Sequence, residues 1–113
     1  MSAPSSYSSE TLALVGTAVA LVDGPTVLKE VQANNNTAAV AYVQLFDIAS
    51  SNVGDITVGT TRADWIIYSA ASLQSLSGQV PPNGLLFRKG IAGVSTTVHD
   101  GATGASQDVR LAI

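Results

Sequence analysis

Cysteine is absent, histidine occurs once, and lysine and arginine together number five in 113 residues. Without cysteine there are no disulfides, no thiolate nucleophile and no sulfur-based zinc site, and the redox compartment leaves no trace. Five cations in a chain of net charge −3 are too few, and too scattered as Lys29, Arg62, Arg88, Lys89 and Arg110, to neutralise a phosphate backbone, which argues against a nucleic-acid binder. A long apolar run is missing too. Leu12 to Val22 comes nearest but is broken by Gly16 and Thr17, and Met1 to Glu10 carries no positive charge, so neither a signal peptide nor a membrane span is expected. Charged residues make up 12% of the chain, against about 25% in an ordinary soluble domain. Ala, Ser, Thr, Gly and Asn fill the gap. A surface of that composition holds copies apart poorly, which fits burial in an assembly; it also fits the Ser/Thr/Asn coat common on β proteins.

One domain is expected from the length. Residues 1–10, rich in serine, read as a flexible N-terminal arm with Tyr7 as its one anchor, and residues 11–113 as the folded domain. The organising stretch is Ala41 to Asp47, fed by the turn-forming run Asn34-Asn35-Asn36. Its odd positions, Ala41, Val43 and Leu45, are wholly apolar, whereas Val40, Tyr42, Gln44 and Phe46 alternate with them and mix rings with an amide. That period of two predicts a central strand with one face in the core and the other half-covered by a neighbour or a partner.

Around it, Leu12–Val22 reads as one or two short strands ended by Asp23-Gly24-Pro25. Thr26–Ala33 reads as one half-exposed strand with Val27, Val31 and Ala33 on the core side. Residues 49–55 have loop chemistry, Ile56–Thr61 a short extended piece, and Ala63–Ala70 the β-branched and aromatic content of a strand. Residues 72–77 make a weak edge strand at best. Gly78 to Gly84, with Pro81 and Pro82, is an emphatic breaker. Extended structure resumes over Gly84–Val94, where the glycines suggest bulges or close approach of backbones, and the chain ends in a strand with Val109, Leu111 and Ile113 on one face. Seven or eight short strands at this spacing predict an all-β chain, a single-domain antiparallel β-sandwich or jelly roll.

Chemistry is sparse. His99 stands beside Asp100, but adjacent strand residues point to opposite faces, a poor placement for a base and its orienting carboxylate. Asp100, Thr103 and Asp108 match no calcium motif, and a plain turn explains them better. Asp47 and Asp64 are read as solvated or turn-bonding residues. No phosphate-cradling glycine loop, nucleophile elbow or paired-carboxylate cleft stands out. No catalytic, cofactor-binding or metal residue is therefore assigned, and the expectation is a protein that is not an enzyme.

The sequence Asn34-Asn35-Asn36, Ala41 to Asp47, Pro82 to Phe87, Gly90-Ile91-Ala92 and the loop before the last strand resembles small all-β virion structural proteins of tailed bacteriophages, over roughly residues 12–113. The resemblance implies a capsid decoration, or cement, protein: a homo-oligomer, trimer or dimer, that binds the major capsid protein at the capsid surface, with no nucleic acid or membrane partner and no cofactor. Tyr7, Tyr42, Phe46, Pro81 and Pro82 are the expected contact residues, with fraying, core packing and an ordinary turn as the plain alternatives. The alternative reading is a carbohydrate- or receptor-binding module of a tail fibre or spike, in which Trp65 or Tyr68 stacks on sugar rings; for Trp65, packing is the simpler role.

Overall fold

A computed structural model describes residues 12–14, 18–35, 40–69, 75–76, 80–81, 83–97 and 107–112. The expected arm 1–10 with Tyr7, and Pro82, His99, Asp100 and Thr103, lie outside the described residues. Ten strands are described: β1 (Leu12–Leu14), β2 (Val19–Asp23), β3 (Thr26–Leu28), β4 (Glu30–Asn35), β5 (Ala41–Asp47), β6 (Trp65–Ser69), β7 (Ser75–Leu76), β8 (Leu85–Phe87), β9 (Gly90–Thr96) and β10 (Gln107–Ala112). All pair antiparallel, in sheets ordered β1-β10-β4-β7, β2-β9-β5-β6 and β3-β8. The described residues are mostly antiparallel β-strand with almost no helix, in keeping with the expected all-β class.

The stretch Ala41 to Asp47 is an inner strand, bonded to β9 on one side and β6 on the other. Val43 and Leu45 on one face join Leu28, Val31, Ile67, Phe87, Ile91, Val109 and Leu111, drawn from all three sheets, in the main apolar cluster. Each such residue contributes about 1.5–3 kcal/mol by leaving water. The opposite face of β5 is covered as well, by chain from the same sheet's own connection. Phe46, Ala92 and Val94 form a second cluster, overlaid by Ile48, Val53, Ile56, Val58 and Ala63.

That overlay departs from the sequence expectation. Residues Ser50–Asp55 form a 3₁₀ helix, and the piece expected to be extended turns instead: Thr60 and Thr61 N–H donate to the Thr57 carbonyl at 2.9 and 2.8 Å. Short polar side chains offer the backbone these local bonds in place of a ladder. Asn52 Nδ2 reaches Asp55 Oδ2 at 3.2 Å, and Thr57 N–H donates to Thr61 Oγ1 at 2.9 Å.

The expected strand Thr26–Ala33 is two strands in different sheets, separated by Lys29 alone. The crossing shifts the inward parity by one, so Leu28 and Val31 are fully buried while Val27 stays 40% exposed. A period-2 count carried through a change of sheet puts the wrong residue inside.

The strands β2–β3 and β8–β9 run as one bent ribbon. Asp23 faces Gly90 and Thr26 faces Phe87, with two residues on each strand looping out between those pairs. The bend is held from β5. The Asp47 carboxylate accepts from Arg88 N–H at 3.1 Å and Lys89 N–H at 2.8 Å. Gly90 sits at φ 147°, and a Cβ there would lie 2.8 Å from the carbonyl oxygens of both Ile48 and Val22. Only glycine fits so crowded a left-handed position.

Candidate functional site

The bent ribbon and the β5–β6 edge of its sheet present the surfaces on which a partner or ligand could be held. In the ribbon, β3 and β8 alternate cleanly. Thr26 pairs with Phe87 and Leu28 with Leu85 on the inner side, where Leu28 and Phe87 are buried and Leu85 packs against the main cluster. The pair between them, Val27 and Leu86, faces out, and at 40% and 52% exposure it puts two apolar side chains opposite one another on the surface. Outward strand positions of a half-buried ribbon are ordinarily polar. The signal was present in the uninterrupted runs Val27-Leu28 and Leu85-Leu86-Phe87, since a strand cannot turn three successive side chains to the same face.

On the β5–β6 edge, Tyr42 is half-buried and pairs across strands with Tyr68, with ring centroids 5.9 Å apart and planes at 68°. This edge-to-face arrangement adds about 0.5–1.5 kcal/mol beyond the area it covers. Tyr68 remains 45% exposed, so the pair offers a phenol ring to solvent.

The remaining expected contact residues are placed differently. Phe46 is 2% exposed and belongs to the second apolar cluster. That burial matches the core-packing alternative for Phe46, since Ile48, Val53, Ile56, Val58 and Ala63 cover its face. Pro81 is half-buried and its carbonyl accepts from Gly84 N–H at 2.8 Å, closing the turn that leads into β8 and Leu86. Tyr7 and Pro82 lie outside the described residues. Of the five, therefore, the structure shows Tyr42 at a surface pair and Pro81 in a turn.

A cleft of about 610 Å³ opens beside Gln44, lined otherwise by the continuous stretch 59–66. Asp64 ties that stretch to β5 twice, donating from its N–H to the Leu45 carbonyl at 2.8 Å and accepting from Asp47 N–H on Oδ2 at 2.7 Å. Arg62 and Asp64 are exposed at the cleft, whereas Trp65 is half-buried and, paired with Leu45, turns its side chain to the main cluster on the other face of the sheet. Gln44 is 1% exposed and its Nε2 donates to Thr96 Oγ1 at 3.0 Å. Tyr68, on the same strand as Trp65, is not among the lining residues. The sequence marks Asp64 but not its place beside Arg62 on the cleft wall, because the cleft exists only once residues 59–64 fold back on the end of β5.

Among the described residues, no three of His, Cys, Asp and Glu gather in a group able to hold a metal ion. In comparisons with family models, curated proteins and solved structures, nothing matches this chain.

Proposed function

We propose that this chain is a non-enzymatic structural protein of a tailed-bacteriophage virion, a β-sandwich that self-associates and decorates the capsid by clamping neighbouring major capsid protein subunits. The observation that carries the reading is the outward pair Val27–Leu86 on a ribbon whose inner face already fills the core. Apolar groups opposite one another at 40% and 52% exposure favour burial against another chain. With only 12% charged residues, little repulsion opposes contact between copies. The sandwich reading is supported by two four-stranded antiparallel sheets whose apolar residues meet in one cluster, as facing sheets do. The phage setting rests on the sequence resemblance. A specific contact buries roughly 1,600 Å², and repetition over a lattice multiplies contacts that are weak singly.

The test is the native mass of the purified chain, followed by cosedimentation with phage capsids built of major capsid protein. A dimer or trimer that saturates the particles at a fixed copy number is the expected result. A monomer that stays in the supernatant at every concentration sinks the proposal.

A further inference from the structure

We propose that the cleft between Gln44 and the 59–66 segment is a binding site for a neutral saccharide, held by a pair of adjacent hydroxyls between Arg62 and Asp64. The inference does not rest on the virion reading. The volume of about 610 Å³ falls within the roughly 300–1,000 Å³ of ligand clefts, so size admits one or two sugar rings and excludes little else. Charge narrows the choice. The lining carries one guanidinium and one carboxylate, Arg62 and Asp64, so neither an anion nor a cation finds a net opposite field. What such a pair does match is a ligand whose neighbouring groups each both donate and accept, and a vicinal diol is the simplest example.

Hydrogen-bonding capacity agrees. Arg62 brings up to five N–H donors, and the Asp64 carboxylate accepts about four bonds in all, of which the bond from Asp47 N–H occupies one lone pair. Thr60 and Thr61 add hydroxyls on the same wall. Thr61 Oγ1 accepts from Thr57 N–H, and its O–H is still a donor. Ala63 and Ile66 supply apolar lining, suited to the C–H face of a pyranose, whereas the Trp65 side chain shares the core-side face of its strand partner Leu45. A peptide fits less well, because a strand-like ligand is recognised through a ladder of backbone bonds along a sheet edge, and this wall is a folded-back turn.

The wall is also preorganised. Asp64 is fixed to β5 at both its N–H and its carboxylate, and the 57–61 turn closes on itself through three bonds. Little ordering cost then falls on the ligand. The exposure of Arg62 and Asp64 keeps the affinity modest, since each hydroxyl displaces water from groups already hydrated.

Trp65 is the only tryptophan in the chain and its strand borders the cleft, so its emission is a first readout of binding there, through the strand rather than by contact of the ring. Titration of the whole protein with maltotriose, cellotriose, mannotriose and galactotriose should give a saturable change with at least one of them, at a Kd of about 1 mM. Arg62→Ala should weaken that binding about tenfold while leaving the thermal unfolding midpoint in place, and amide shifts on binding should cluster at residues 59–66. Sialyllactose tests an anion site and trilysine a peptide site. A response to sialyllactose or trilysine alone, a response undiminished in Arg62→Ala, or none from any neutral trisaccharide would overturn the proposal. None of these results bears on the native mass or capsid sedimentation.

Discussion

At the residue scale, two positions far apart in the chain make the bend of the ribbon possible. Asp47 holds one strand by accepting the Arg88 and Lys89 amides, and the Asp64 carboxylate in turn accepts the amide of Asp47 itself. A short chain of carboxylates thus links the cleft wall, the end of β5 and the corner before β9. Gly90 supplies the space. Its φ of 147° is strained for any L side chain, and a Cβ would collide with two carbonyl oxygens, backbone atoms that cannot rotate away. Gly90→Ala therefore combines a strained dihedral with overpacking, and should lower stability by about 3 kcal/mol. In urea this is a lower midpoint at an unchanged slope. A midpoint within error of the parent would mean that the corner relaxes without cost.

At the element scale, β5 is the strand on which both apolar clusters depend, one on each face. Phe46 decides between the two roles open to its even-numbered face. Were that face a docking surface, truncating Phe46 would cost partner binding and little stability; as the centre of a covered cluster, Phe46→Ala should cost about 3–5 kcal/mol in the isolated chain, read by chemical denaturation. The strand itself was legible because its alternation runs unbroken from Ala41 to Phe46. The covering segment was not legible, since its 3₁₀ helix is held by local bonds of Asn52 and its neighbours, and those residue types look like loop until Val53, Ile56 and Val58 are seen to close on Phe46. The parity slip at Lys29 was equally hidden. A strand that leaves one sheet for another after a single residue keeps the composition of a continuous strand, and only the burial of Leu28 and Val31 three apart betrays the change. For the cleft, the sequence marked Asp64, but its meeting with Arg62 and Gln44 depends on how residues 59–64 return to β5, which no spacing along the chain encodes.

At the scale of the whole molecule, charge and exposed apolar surface work together. A net charge of −3 spread over the surface of 113 residues sets up a weak field, screened within about 8 Å at physiological salt, so copies approach with little electrostatic penalty. The outward Val27–Leu86 pair then decides whether they stay together. Leu86 is 52% exposed and lies on the side of β8 away from the core, so changing it removes little folding energy, within about 0.5 kcal/mol. Leu86→Lys should nonetheless place an ammonium in the contact, where burial without a partner is costly. The expected outcome is a shift to monomer in sedimentation velocity across a concentration series, with the thermal midpoint nearly unchanged. Val27→Thr, which keeps the branched shape and adds one hydroxyl, should weaken the same association less. If Leu86→Lys keeps the parent's mass at every concentration, the ribbon is not the contact, and the exposed Tyr68 beside Tyr42 becomes the surface to alter next.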